Sequence, residues 1–241
     1  LIVVSCKALV NEQLSTNNEI MQTHTFKTLR TAHIYTHNIA SEKTKYIWFV
    51  GHGYGQLASS IIRKFMHLYD EHYVVSVEGL SRFYFNFERG VVGASWMTKN
   101  DRLNEIDDYV YYLDNVYAQF VTQNANPKTK IIFLGFSQGG ICFARWMSIS
   151  KPRCDYFISW GSALPDDVDY NHTQIANYFK AIKISFICGT NDEFFYEERM
   201  NKYKDFLKTL PFAVEQITFE GKHEILVPVL DDYIREKIRV N

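Results

Sequence analysis

A chain of 241 residues, 46% hydrophobic and 22% charged, fits one α/β domain of ordinary size and is too apolar to be a disordered segment. Lys and Arg number 26 against 27 Asp and Glu, and a net charge of -1 offers no field to draw nucleic acid or an anionic membrane surface. No apolar run approaches the roughly 20 residues that span a bilayer, and Cys6, Cys142, Cys154 and Cys188 follow no metal-ligand spacing.

Two of these cysteines sit inside apolar runs where a thiol packs as a small hydrophobe, so all four are read as reduced and the protein as cytoplasmic. The run Leu1-Ile2-Val3-Val4 resembles the tail of a signal peptide, but Lys7 interrupts it and no small-residue cleavage site follows. Residues 1–20 are read as an N-terminal extension, and residues 21–241 as a single domain. Aromatic residues make up 16% of the chain, with 18 Phe and 16 Tyr. A Phe-rich core accounts for them more readily than an aromatic-lined pocket.

Short β-rich runs alternate with longer amphipathic ones, the signature of a mostly parallel sheet with helices on both faces. Thr28 to Tyr35 reads as an edge strand. Tyr46 to Val50 is a continuous apolar run ending at glycines, as expected of a strand buried on both faces. Leu57 to Leu68 has helical spacing, and Tyr73 to Val77 is the next strand. Residues 79–104 resist assignment: Phe83 to Phe87 alternates like a strand, Gly90 and Gly93 break the period, and the segment is read as an excursion over one end of the sheet. A long helix follows from Asp101, its expected N-cap, to Thr122. Strands are expected over Lys130 to Phe136, Tyr156 to Trp160, Ile184 to Cys188 and Val214 to Phe219. Helices are expected over Gln138 to Ile149, Thr173 to Lys180, Tyr196 to Leu207 and Val227 to Ile238.

Gly135-Phe136-Ser137-Gln138-Gly139-Gly140 lies between a buried strand and a helix, the setting a nucleophile elbow requires. Glycines two before and two after Ser137 permit the sharp turn. The helix dipole beneath the hydroxyl favours developing negative charge. A serine needs a base to accept its proton and a carboxylate to orient that base. Asp192 follows the strand ending at Cys188, with Glu193 beside it as competitor, and His223 follows the strand ending at Phe219. His223 is the last of 8 histidines and the only one after Asp192. His33 and His37 lie in or beside the first strand, and His67, His72 and His172 sit on helices or loops with no carboxylate pattern that would bind a metal.

A tetrahedral intermediate needs two backbone donors. The amide of Gln138 is one. The loop Gly51-His52-Gly53-Tyr54-Gly55-Gln56 follows an early strand and offers the amide of Tyr54 as the other. As a nucleotide loop it lacks the Lys-Ser/Thr of a P-loop and the spacing of a dinucleotide site, so no cofactor is expected.

The elbow, His52-Gly53-Tyr54-Gly55, Gly189-x-x-Asp192 and His223 together resemble the phospholipase/carboxylesterase family of α/β hydrolases, which includes acyl-protein thioesterases. The resemblance covers roughly residues 45 to 240. It implies a small hydrolase with a Ser137, Asp192, His223 triad and oxyanion amides at Tyr54 and Gln138, acting on carboxylic esters, lysophospholipids or acyl thioesters. The chain departs from the family at Gln56, where an Asp is usual, and at Cys188-Gly189, where His-Gly is usual. The segment from Phe83 to Met97 matches no family pattern.

The expected activity is cleavage of a small-molecule ester or thioester through an acyl-enzyme, without cofactor or metal. Trp96 and Met97 are candidates for the acyl pocket and, equally, for the core. A peptidase or a carbohydrate-ester hydrolase would use the same triad, and a non-catalytic binding protein could use the same fold. The natural substrate and the oligomeric state are not legible in the sequence.

Overall fold

In the long apolar strands successive side chains point to opposite faces, so a strand buried on both sides must lie between two layers of helix. The computed structural model describes residues 14–16 and 19–239. The signal-like run Leu1–Val4 and Cys6 lie outside them. The described chain divides into two compact units, one ending at Thr31 and one running from Ala32 onward. In the first, β1 (Leu14–Thr16) pairs antiparallel with β2 (Glu19–Met21).

The second unit is built on a seven-stranded sheet. Its members in chain order are β3 (Ile34–His37), β4 (Tyr46–Gly51), β5 (His72–Val77), β8 (Lys130–Phe136), β9 (Tyr156–Trp160), β10 (Lys183–Gly189) and β11 (Val214–Phe219). Between β5 and β8 the chain leaves the sheet to make a separate antiparallel hairpin of β6 (Ser81–Asn86) and β7 (Val91–Ser95). The order across the main sheet is β11-β10-β9-β8-β4-β5-β3, parallel throughout except for β3.

Alternation assigns the layers. Phe49 and Phe133 pack with Phe143, Trp146 and Tyr117 on one face, the face covered by α2 (Arg102–Val116), α3 (Gln138–Ser150), α4 (Thr173–Lys180) and α5 (Glu197–Lys208). Trp48, Leu134 and Trp160 face the other way. There they meet α1 (Ala58–Ile61), its 3-10 continuation Ile62–Phe65, and α6 (Val227–Tyr233) with its π-helical end Ile234–Ile238. The aromatic richness is thus largely core.

Three elements differ from the sequence reading. The edge strand begins at Ile34 rather than Thr28, because its partner β5 ends at Val77, opposite Ile34, and the bond from Glu78 N to His33 O at 3.2 Å closes the pairing there. The helix expected to Leu68 tightens to 3-10 geometry after Ile61 and ends at Phe65; three residues per turn stack Ile62 and Phe65 on one buried face. His72, read as a loop or helix residue, opens β5 and is fully buried. Its Nδ1 accepts a bond from Trp48 Nε1 at 3.0 Å, and burial pulls its pKa down to about 4. Asp101 occupies the N-cap position of α2 without a capping side-chain bond, its carboxylate accepting from Asn104 instead. The segment 79–104 contains the hairpin, and its exit turns back toward the sheet through Gln138.

Candidate active site

Strand register brings the motifs to one edge. Gly51 is opposite Gly135, Phe136 opposite Trp160, Trp160 opposite Ile187, and Gly189 opposite Phe219. The glycine loop, the elbow, Gly161, the acid loop and the histidine loop therefore leave the same carboxyl edge in adjacent positions.

Ser137 has φ 52 and ψ -121, a positive φ that non-glycine residues rarely adopt. The strand and helix on either side hold it there. Its N–H donates to Trp160 O at 2.9 Å and its carbonyl accepts from Gly140 N at 3.0 Å. The turn is so tight that a Cβ on Gly135 would lie 2.3 Å from Gly140 Cα, so neither end of the elbow has room for a side chain. Gln138 is the first residue of α3, where amides have no intrahelical acceptor.

His223 Nδ1 lies 2.7 Å from Asp192 Oδ2, and both side chains are largely buried. The other Asp192 oxygen accepts from Phe194 N at 2.8 Å. Burial pushes the Asp192 carboxyl up, but the bonds from His223 and the Phe194 amide outweigh it and hold the group below its ordinary value. Glu193 is exposed. The histidine is packed between two rings, Phe136 at 4.9 Å and Phe194 at 4.5 Å between centroids. Cys188, in place of the family's His, is buried with Sγ 3.6 Å from Asp192 Oδ2, and burial, then the neighbouring carboxylate, pushes the thiol up to about 12. It remains a neutral donor.

The glycine loop packs directly on the elbow: a Cβ on Gly53 would lie 3.1 Å from Ser137 Cβ, and one on Gly139 2.6 Å from His52 O. His52 is fully buried. Its Nε2 accepts from Gly79 N at 2.9 Å, so its Nδ1–H donates to Gly53 O at 2.7 Å, and burial lowers its pKa. Gly53 O also accepts from Gln56 N at 3.1 Å. In a trans peptide the following N–H points the opposite way, and among the described residues the Tyr54 amide has no acceptor. Gln56, where the family usually has Asp, accepts from Gly53 N through Oε1 at 3.1 Å.

Trp96 and Met97 separate. Trp96 is 2% exposed, packs tilted against His52 and edge-on against Tyr109 and Phe143, and donates from Nε1 to His52 O at 2.9 Å; it is a core residue beside the loop. Met97 is half-buried, its sulfur near the Arg145 guanidinium. Among the described residues no group of three or more His, Cys, Asp or Glu could hold a metal ion, and no helix is long and apolar enough to cross a membrane.

The family model for Phospholipase/Carboxylesterase matches residues 31–238. The chain belongs to the phospholipase/carboxylesterase family. It is an α/β hydrolase of the esterase or thioesterase type. Among solved structures it is similar to acyl-protein thioesterase 2 of Zea mays, with 14% identity, 85% of this chain and 97% of that chain covered, and a TM-score of 0.64. It is also similar to a phospholipase/carboxylesterase from Dyadobacter fermentans, at 19% identity, 87% and 99% coverage and a TM-score of 0.61. A carboxylesterase from Mesorhizobium loti gives 14%, 80% and 90%, and 0.60. At these identities the structural likeness is one of fold. No curated protein matches the sequence.

Two residues of this family member gave no usable sequence signal. Gly161 reads only as a glycine ending a strand, yet it forms the floor under His223. Phe194 follows Asp192 by two positions, as any loop aromatic might, yet it touches both Asp192 and His223.

Proposed function

We propose that the protein is a serine hydrolase cleaving carboxylic esters or acyl thioesters. Ser137 Oγ attacks the carbonyl carbon while His223 Nε2 takes the hydroxyl proton, and Asp192 orients the imidazole and stabilises its charged form. The amides of Tyr54 and Gln138 hold the oxyanion. His223 returns the proton to the departing alcohol or thiol, leaving an acyl-Ser137. Water then attacks that ester, His223 takes its proton and gives it to Ser137, and the carboxylic acid departs.

The observation that carries this reading is the 2.7 Å Asp192–His223 bond, seated beside an elbow whose serine has φ 52. Exposed aromatic surface nearby supports an apolar acyl or alcohol group. Tyr54 stacks on Phe83 at 5.2 Å, and the rings of Tyr54 and Phe194 are about half exposed. The free, buried thiols of Cys142, Cys154 and Cys188 support a reducing, cytoplasmic setting.

Turnover of p-nitrophenyl acetate and butyrate, with fluorophosphonate labelling, tests the assignment. Wild type should turn over and label, and Ser137→Ala should do neither. Ester cleavage surviving in Ser137→Ala would refute the mechanism. A folded wild type that neither reacts nor labels would point to a binding protein on this fold.

A further inference from the structure

Both halves of the oxyanion hole proposed above are tied to one short stretch, Ala94–Met97, at the exit of the β6–β7 hairpin. On the glycine-loop side, Gly55 N donates to Ala94 O at 2.9 Å and Ala94 N to Gln56 O at 3.0 Å. The Trp96 indole donates to His52 O. The approach is close, since a Cβ on Gly93 would lie 2.4 Å from Gly55 O. On the elbow side the strap nearest the nucleophile is the side chain of Gln138. Its Oε1 accepts from Trp96 N at 3.1 Å, and its Nε2 donates to Met97 O at 2.9 Å. A carboxamide is suited to this, because it offers an acceptor and a donor at once to two successive groups of one backbone.

We propose that the Gln138 side chain, separately from its amide, is a positioning residue that sets the distance between the two oxyanion donors. The inference rests on the serine-hydrolase reading. The Tyr54 amide belongs to a loop fastened to Ala94 and Trp96, and the Gln138 amide to a helix fastened to Trp96 and Met97, so the exit of β7 is a common brace. Donors aimed at a developing charge act only when held in place before reaction. Loosening the strap therefore weakens transition-state binding more than substrate binding.

The test uses Gln138→Met, which keeps the backbone amide and the side-chain volume but loses the bonds to Trp96 N and Met97 O and the longer contacts with Ser95 Oγ. Trp96→Phe, which keeps the ring but loses the indole donor to His52 O, is the second variant. With p-nitrophenyl butyrate, kcat of Gln138→Met should fall about 10- to 100-fold with KM changed by less than about threefold. Affinity for a trifluoromethyl ketone, whose adduct with Ser137 carries the oxyanion, should fall by the same factor. Trp96→Phe should show a smaller parallel loss of both quantities. A folded Gln138→Met with wild-type kcat, or a kcat loss with inhibitor affinity unchanged, would overturn the proposal. If Gln138→Met does not fold, Gln138→Glu, which keeps the acceptor for Trp96 N but loses the donor to Met97 O, decides by the same two readings. Wild-type labelling by a fluorophosphonate keeps this failure distinct from failure of the serine-hydrolase reading, which would remove labelling altogether.

Discussion

Gly161 lies directly against His223: a Cβ there would sit 3.0 Å from the imidazole Cε1, 3.1 Å from Nδ1 and 3.4 Å from Asp192 Oδ2, at a backbone φ of +55. Gly161 N is itself fixed by Ile187 O at 2.7 Å, so the backbone cannot easily withdraw. Gly161→Ala is therefore expected to meet two penalties. The left-handed conformation costs an alanine about 1 to 2 kcal/mol, readable as a lowered Tm or urea midpoint. The methyl also displaces the imidazole by a few tenths of an ångström, which should lower kcat about 10-fold or more. A variant with wild-type kcat would show that the base does not rest on this glycine.

The choice between Asp192 and Glu193 rests on which carboxylate reaches the imidazole. Asp192→Asn should lower kcat about 10³- to 10⁴-fold, because an amide leaves His223 in the wrong tautomer or unsupported, while Glu193→Gln should leave it within about twofold. Equal losses in the two variants would count against Asp192. A pH dependence accompanies the same residue. Asp192 is held below its ordinary value when folded, so its contribution to stability is complete above the unfolded carboxylate pKa and is lost as pH falls through the folded one. The stability gap between wild type and Asp192→Asn should narrow through that acid range.

What the sequence disclosed and what it hid have physical causes. Buried strands such as Ile131 to Phe136 announce themselves because both faces are apolar, and glycines at 135, 139 and 140 because two backbones nearly touch there. Asp192 and His223 stood out as a candidate pair because each follows a strand of the same parallel sheet, and register brings those ends together. The hairpin was not readable. Tyr84, Phe85 and Phe87 are exposed, so its alternation does not separate a core face from a solvent face, and it is held by bonds between Ala94 N and Gln56 O and between Trp96, Met97 and the Gln138 side chain, which have no periodicity. Trp96 was ambiguous for a related reason: an indole beside an active site can line a pocket or brace a loop, and only its bond to His52 O distinguishes them.

Phe194 tests how the base is shielded. Its amide holds Asp192 Oδ1, and its ring packs on the imidazole, as that of Phe136 does. Phe194→Ala keeps the amide and removes the ring, admitting water to His223. Hydrolysis of p-nitrophenyl butyrate should lose about 10-fold in kcat/KM, more than p-nitrophenyl acetate does, since the longer acyl chain has more apolar surface to lose contact with. An equal loss on both esters would mean that the ring serves the base alone and not the substrate.

The helix that follows Ser137 is anchored from its far side, and this anchor should show in acid. Arg145, buried on α3, donates to Asp167 Oδ1 at 2.7 Å and to Tyr109 OH at 3.3 Å, and Arg102 of α2 pairs with the same carboxylate. Burial pushes Asp167 up, but the bonds from Arg145 and Arg102 outweigh it and bring the group down to about 2. Removing the carboxylate leaves a buried guanidinium without its main partner, which is more damaging than the pair is stabilising. Asp167 is itself partly exposed, so solvent screens the pair and tempers the effect. Asp167→Asn is expected to lower Tm by several degrees at pH 7. A depressed folded pKa means that this stability is present above the unfolded value near 3.8 and disappears as pH falls through about 2. The Tm difference between wild type and Asp167→Asn should accordingly shrink between those limits and nowhere else in the acid range. A difference that stayed constant across them would show that the two arginines are not held by the charge of Asp167.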